Sequence, residues 1–166
     1  HYDRDVIRAH ALGNFRAFLG AMARSTPMLF YLDNWESSAD GPNENFAREL
    51  LELHTLGREN YHGAVPRNQV PTDGSGLQAG FVDEDVFAVT RCLTGWSVDG
   101  DPWWDPKSGN GTFLYRADWH DNDSKNVLGV ILPPAQPAMK DGNDVLSILA
   151  AHPGTAQFVC RKLCRR

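Results

Sequence analysis

The stretch Asn43-Glu44-Asn45-Phe46-Ala47-Arg48-Glu49-Leu50-Leu51-Glu52-Leu53-His54-Thr55-Leu56-Gly57 is the clearest helix signal in the chain. At about 100° per residue, its apolar side chains and His54 fall on one face, and most of its charged side chains fall on the other. Asn43 suits the N-cap position, because its side-chain oxygen can accept a hydrogen bond from a free backbone N–H. Gly57 follows the last periodic residue, where helix ends favour glycine. We therefore predict one helix here, with His54 as a core histidine.

The charged face of this helix has two interpretations. Glu44 and Glu52 stand four residues before and after Arg48, and such pairs on a solvated face contribute a few tenths of a kcal/mol each. Alternatively, the face is covered and Arg48 holds carboxylates in a buried network, structural or catalytic, with Asp33 or Asp83 as its predicted partner from another segment. The catalytic candidates on this helix are Glu44, Arg48, Glu49 and Glu52.

A second polar stretch, Asp118-Trp119-His120-Asp121-Asn122-Asp123-Ser124-Lys125, places three carboxylates, an imidazole and an ammonium within eight residues. Carboxylates suit a hard cation, and an imidazole suits zinc or iron. The calcium-loop pattern fails, because the required glycine and glutamate are missing. His120 and Asp121 are similar to the His-Asp doublet of metal phosphohydrolases, which makes them candidate metal ligands and, with Lys125, candidate catalytic residues. The alternative is a turn whose side chains bond their own backbone.

The composition limits the classes of protein to which this chain can belong. The chain has 166 residues, 42% hydrophobic and 22% charged, so we expect one globular domain over residues 1–166. The net charge of −5 offers no basic surface for nucleic acid. No apolar run approaches the roughly 18 residues that span a bilayer. The glycine spacing between residues 74 and 80 does not match a dinucleotide-binding fingerprint, so we expect no cofactor.

The sequence predicts a mainly α fold of about five helices, with a small β-hairpin and long irregular loops. Besides the central helix, the periodic segments are residues 5–24, 84–93, 143–151 and 155–165. Residues 112–116 and 126–132 are the strand-like runs and are predicted to form one hairpin. Residues 58–80, rich in glycine and proline, are predicted to be a mobile surface excursion without long regular structure. The chain starts in the middle of an amphipathic pattern, so we expect an internal fragment of a longer domain.

Cysteine and tryptophan add two smaller predictions. Three cysteines, Cys92, Cys160 and Cys164, argue against a disulfide scaffold and are predicted to be small buried side chains. Four tryptophans lie in the irregular region after the 84–93 helix. Clustered tryptophan there is typical either of a carbohydrate-binding platform or of core packing beneath loops, and both alternatives stay open for Trp96, Trp103, Trp104 and Trp119.

Several blocks of the chain resemble, in the same order, the bacterial family called domain of unknown function 1800. The central helix is the most specific block, and the others include 10–15, 31–34, 93–96, 120–121 with 128–129, and 152–163. One departure is an insertion between Gly57 and Phe81, after which Val82 replaces the usual capping threonine. The resemblance implies a mostly helical exported protein, periplasmic or extracellular, often encoded beside the sulfatase-like domain of unknown function 1501. It implies no established reaction.

Two hypotheses of function follow. The first is an exported accessory or interaction protein that works with a partner enzyme of that sulfatase-like family; it rests on the clustered tryptophans, the family's gene neighbourhood and the lack of a recognisable nucleophile motif. The alternative is a metal-assisted hydrolase, with His120 and Asp121 as ligands and a central-helix glutamate as base.

Overall fold

The structure, a computed structural model, describes residues 2–74, 76–100 and 108–165, and it is mainly α with small β elements, as predicted. Its α-helices are α1 (Phe15–Ala23), α2 (Thr26–Tyr31), α3 (Asn45–Glu49), α4 (Asp83–Leu93), α5 (Lys140–Ala151) and α6 (Pro153–Cys164). Its strands are β1 (Trp96–Val98), β2 (Phe113–Tyr115), β3 (Lys125–Val127) and β4 (Val130–Leu132).

The predicted first helix over residues 5–24 is wrong as one element. It consists of a π-helical segment, Asp3–Arg8, and the separate helix α1. Asn14 causes the break: its backbone is extended, and its side-chain oxygen accepts the Ala17 N–H at 2.9 Å. An asparagine that caps the next helix in this way competes with continuation of the previous one.

The central helix begins at Asn45, two residues after Asn43, and its second half is π-helical. The Asn43 side chain accepts the Asn45 N–H at 3.0 Å, so it bonds an amide of the first turn as predicted, but Glu44 occupies the N-cap position predicted for Asn43. After α3, the chain continues as a π-helical segment over Leu50–His54. The extra residue per turn in a π-helical segment rotates the positions that follow it.

Gly57 lies two residues after Thr55, the C-cap of this helix, one position later than the predicted C′ glycine. Its backbone has φ +93°, and its N–H donates to the Leu51 carbonyl at 3.0 Å. Helix α6 packs directly on it, because a Cβ atom at this position would lie 2.5 Å from Cδ2 of Phe158. Both the positive φ and the close contact therefore require glycine here.

The predicted single hairpin is wrong, because each strand-like run has a different partner. Strand β2 pairs antiparallel with β1, and β3 pairs antiparallel with β4. The second pair is a local hairpin whose turn residues Leu128 and Gly129 have φ of 51° and 84°. Positive φ at both turn positions matches the twist of a two-residue hairpin, so β3 closes on β4 within its own run.

Helix α4 lies at the centre of the molecule. Val86, Val89, Cys92 and Leu93 are all buried on it, and it contacts α3, α5 and β3. Helices α3 and α5 pack directly against α4, whereas α1 and α6 pack against α5 and α2 packs against β1.

The burial of the tryptophans and of the cysteines differs from residue to residue. Trp96 is fully buried, as core packing requires, and Trp119 is half-buried with the Arg116 guanidinium 4.7 Å from its ring. Trp103 and Trp104 lie outside the described residues. Cys92 is buried as predicted, but the prediction is wrong for Cys160 and Cys164, which are exposed on α6.

In its described residues, 58–74 and 76–80, the excursion contains only short 3-10 turns and isolated β-bridges, so the prediction of no long regular structure is confirmed there. It is nevertheless fastened to the core through Asp85. Arg67 Nη2 and Nε lie 2.9 and 3.1 Å from Asp85 Oδ1, and the Gln78 amide donates to Oδ2 at 2.7 Å. We call this group, with the backbone amides of Val82 and Leu128, the Asp85 clamp.

The Asp85 carboxylate, to which the other groups of the clamp bond, is 0% exposed. The Val82 N–H donates to it at 3.1 Å, which caps α4, and the Leu128 N–H donates at 2.9 Å from the β3–β4 turn. A buried carboxylate is stable only when its charge is balanced and its lone pairs are filled, and Arg67 and the amides do both. The clamp therefore joins three segments at the start of α4.

Candidate functional site

The predicted site residues divide between two clusters at opposite ends of α4. The Arg48 cluster meets the first residue of α4 and the Lys125 cluster meets its last turn. We define the first as Glu44, Arg48, Glu52, Tyr61 and Asp83, and the second as Arg91, His120, Asp121, Lys125 and Asp141. Eight residues separate Asp83 from Arg91, so their Cα atoms are about 12 Å apart at about 1.5 Å per residue.

In the Arg48 cluster, one guanidinium faces three carboxylates. Arg48 Nη2 lies 2.9 Å from Glu44 Oε1 and 3.6 Å from Asp83 Oδ1, and Nη1 lies 3.8 Å from Glu52 Oε1. The contact with Asp83 confirms one of the two predicted partners from another segment. The Arg48 side chain keeps 28% of its exposure, so the face is neither fully solvated nor buried.

Tyr61 completes this cluster, although no sequence pattern singled it out. Its hydroxyl donates to Asp83 Oδ1 at 2.5 Å, and the Arg48 guanidinium lies 5.6 Å from its ring centroid. The bond to Asp83 raises the pKa of Tyr61. Burial alone would lower the pKa of Arg48, but the hydrogen bonds to Glu44 and Tyr61 outweigh it and raise that pKa. Neither group therefore titrates near neutral pH, where a general base would operate.

Glu49 lies outside both clusters. It lines a surface groove together with Asn45 and His54, and it forms no ion pair within the part of the chain that the structure describes. The four predicted residues of the central helix therefore do not converge on one point.

In the Lys125 cluster, the ammonium is 0% exposed and fully engaged. Lys125 Nζ lies 2.6 Å from Asp141 Oδ2, and it also donates to the backbone carbonyls of Asp121 and Asp123. An ammonium has three donors, so these contacts use its whole capacity. Asp141, itself 2% exposed, accepts a further bond from the Gln136 amide.

The His120 ring is enclosed by protein oxygen atoms. Nδ1 lies 2.9 Å from the Thr94 carbonyl, and Nε2 lies 3.2 Å from Asp141 Oδ2. A histidine that binds a metal presents one ring nitrogen to it, and here both nitrogens face protein acceptors.

Asp121 is held by Arg91, whose Nε and Nη2 lie 2.6 and 2.9 Å from its two carboxylate oxygens. Burial alone would raise the pKa of Asp121, but the hydrogen bonds from Arg91 and from the Asp123 N–H outweigh it and lower that pKa. The bond from the Asp123 N–H, 2.9 Å from Oδ1, is also the turn contact that the second interpretation of this loop predicted.

The structure therefore brings His120, Asp121 and Lys125 together but keeps them apart from Glu44, Arg48 and Glu52. In the described ranges, no three His, Cys, Asp or Glu side chains gather as a metal ion would need. The metal and catalytic roles of these residues stay predictions.

Sequence reasoning missed Arg91 and Asp141, which balance the charges of the Lys125 cluster. One signal was available. Lys125 and Val127 share one face of a strand, because side chains alternate along it. A lysine on the same face as a core valine requires a buried carboxylate, although the strand pattern does not say which one.

A model of the family described as "Protein of unknown function (DUF1800)" matches residues 1–166. The chain belongs to this family. A search of the curated proteins and a search of the solved structures return no match. None of the described helices of this DUF1800 chain has the length and apolar character needed to cross a membrane.

The DUF1800 chain also has a surface groove at His54, whose lining is largely apolar but includes Asn45 and Glu49. Two cavities, of about 320 and 50 Å³, share His54 as a wall, and we call them together the His54 groove. Helices α1 and α2 supply one side through Phe18 and Tyr31, and the π-helical segment supplies the other through Leu53. His54 thus lines a surface groove, which corrects its prediction as a core histidine. Burial and, secondarily, the charge of Lys162 lower its pKa.

Proposed function

We propose that this chain is an exported accessory protein that binds a partner enzyme through the His54 groove. The observation that carries the proposal is the exposure of large apolar side chains along it: Tyr31 is 78% exposed and Leu53 is 50% exposed. A single exposed apolar side chain would have no significance by itself. Here both side chains line one concave surface between helices, which is the usual shape of a binding site.

The groove suits an apolar segment of another protein. A cleft between helices accommodates the apolar face of an amphipathic helix, and tyrosine is enriched among residues that dominate binding energy. Each 100 Å² of apolar surface removed from water there would contribute about 2.5 kcal/mol, before the cost of association.

The polar clusters support binding over catalysis. Lys125, His120 and Asp121 already bond protein groups through their donors and acceptors. A nucleophile or a general base needs an atom that can reach the substrate. Using these groups in a reaction would require their present partners to be displaced from a buried position.

The location and the identity of the partner rest on family resemblance alone. We propose export to the periplasm or beyond, and a partner from the sulfatase-like family, domain of unknown function 1501. Fractionation of cells that produce the full-length protein tests the first point, since recovery in the cytoplasm would contradict export.

Binding is tested with the full chain and the purified sulfatase-like protein encoded beside its gene. Tyr31→Asp and Leu53→Asp place a charge in the groove, and we expect each to weaken the affinity measured by calorimetry at least about tenfold, or about 1.4 kcal/mol. Ile131→Asp is the matched control, because Ile131 is 71% exposed on β4 and lies outside the groove. Unchanged thermal melts establish that the variants fold.

Equal weakening by Ile131→Asp would show that the groove has no special role. Absence of a complex, together with metal-dependent turnover that His120→Ala abolishes, would instead support the hydrolase alternative.

A further inference from the structure

Two arginines of α1 converge over a glycine. Arg16 and Arg24 stand four residues before and after Gly20, so all three lie on one helix face. A Cβ atom at Gly20 would lie 2.9 Å from Arg16 Nη1 and 3.8 Å from Arg24 Nη1. The missing side chain thus leaves room for the Arg16 guanidinium, and Arg24 Nη1 lies at ordinary contact distance from the same point.

Helix α5 fixes both guanidinium groups through neutral acceptors. Arg16 donates from Nε to Ser147 Oγ at 3.0 Å and from Nη2 to the Asn143 carbonyl at 2.9 Å. Arg24 Nη2 donates to Asn143 Oδ1 at 2.5 Å, and Arg16 Nη2 lies 3.4 Å from the same oxygen. Two cations therefore share one uncharged amide, and the Arg24 guanidinium also lies 5.4 Å from the centroid of the Trp96 ring. These neutral groups orient the two cations without carrying a charge that balances theirs.

No carboxylate pairs with either arginine within the described ranges, unlike Arg48, Arg67 and Arg91, which all have such a partner. The two Nη1 groups form no hydrogen bond to any described residue, and Arg24 Nε is buried without an acceptor there. Burial, followed by the charge of Arg24, lowers the pKa of Arg16, as expected for neighbouring cations.

We infer that Arg16, Gly20 and Arg24 form a binding site for a doubly charged tetrahedral oxyanion, the phosphate or sulfate group of a ligand. Guanidinium groups present fixed pairs of N–H donors that match such oxygen atoms, and two of them balance a charge of −2. The site lies on the α5 side of α1, whereas Phe18 and Met22 on another face line the His54 groove. It is therefore independent of the proposed function.

The test measures binding of sodium phosphate and sodium sulfate to the full chain by calorimetry and thermal melting, against sodium chloride at equal ionic strength. We expect saturable binding and a rise in melting temperature with the oxyanions only. Arg16→Gln and Arg24→Gln should each weaken binding at least about tenfold. Phenyl phosphate, compared with free phosphate, distinguishes an ester group of a larger ligand from a free ion, and tighter binding of either one supports the site.

Two variants make the test specific. Gly20→Ala keeps the charge and favours the helix, but its methyl group must displace the Arg16 guanidinium, so binding should weaken while folding is retained. Arg8→Gln removes the same charge from the exposed pair with Asp3 and should leave binding unchanged. An equal response to chloride, or equal weakening in Arg8→Gln, would reduce the effect to charge screening and overturn the inference.

Discussion

The Arg48 cluster and the Lys125 cluster contain the same kinds of side chain on either end of one helix, yet they differ in access to water. The Arg48 side chain is 28% exposed and its carboxylates Glu44 and Asp83 are 58% and 45% exposed. Lys125 and Asp141 are 0% and 2% exposed. In the first cluster water can replace a lost partner, and in the second it cannot. Burial, more than residue type, therefore decides what each ion pair contributes.

The largest effect is expected from Asp141→Ala. It removes the nearest carboxylate of the buried Lys125 ammonium, at 2.6 Å, and leaves only Asp121 at 3.6 Å, whose charge Arg91 already balances. Removing one partner of a buried ion pair typically costs about 3–5 kcal/mol of unfolding free energy. Asp144→Ala is the control on the same helix, because Asp144 pairs with Lys140 near the surface, with 28% and 47% of these side chains exposed. We expect it to cost less than about 1 kcal/mol. Urea unfolding measures both, and equal small losses would mean that water reaches Lys125.

A double substitution, Lys125→Met with Asp141→Leu, should be less destabilising than Asp141→Ala alone. Replacing both buried charges by apolar groups removes the penalty of an unpaired ion, and such changes are often close to neutral. The coupling energy follows from a cycle with the two single variants. Strictly additive losses would show that the two charges do not interact.

Arg48→Ala should cost about 1 kcal/mol or less, because Glu44 and Asp83 stay hydrated after the arginine is removed. The less exposed Glu52 keeps a second cation, Arg58, 3.9 Å from its other oxygen. Arg48→Lys should unfold at nearly the wild-type urea concentration. A loss of several kcal/mol in the full-length protein would show that another segment covers this face there, and would remove the contrast between the two clusters.

The smallest effect is expected in acid, at the Arg91–Asp121 pair. The folded-state pKa of Asp121 is lowered, so the pair stabilises the protein fully above the unfolded pKa of about 3.9 and ceases to do so as pH falls through the folded pKa. The stability difference between wild type and Arg91→Gln should therefore shrink as the pH of urea unfolding is lowered from 5 toward 2. A difference independent of pH would show that Arg91 acts through packing only.

Local patterns predicted much of this molecule. The hydrophobic period placed α4 and the central helix, and Asn43 and Gly57 lie within three residues of the ends of the latter, because helix ends are decided by a few neighbouring atoms. The same rules failed at Asn14. A favourable apolar stripe continued across it in the sequence, but its side chain caps a new helix instead.

Partners distant in the chain could not be predicted. Periodicity assigns a residue to a face but does not say which element will cover that face. Lys125 therefore stood out as a polar residue, while its partner Asp141, sixteen residues later, did not. Arg67 and Asp85 are eighteen residues apart across a stretch with no regular period, and nothing in either segment identifies the other.

The Asp85 clamp has a consequence for the order of folding. Helix α4 and the β3–β4 hairpin can form within microseconds, because their contacts are local. The Asp85 carboxylate stays hydrated until two distant groups bind it. Arg67 lies eighteen residues before Asp85, and the Leu128 N–H lies forty-three residues after it. Loop closure of this kind is slower than local structure formation. We therefore expect the excursion to dock late, so that Arg67→Gln accelerates unfolding in stopped-flow kinetics and leaves the folding rate nearly unchanged.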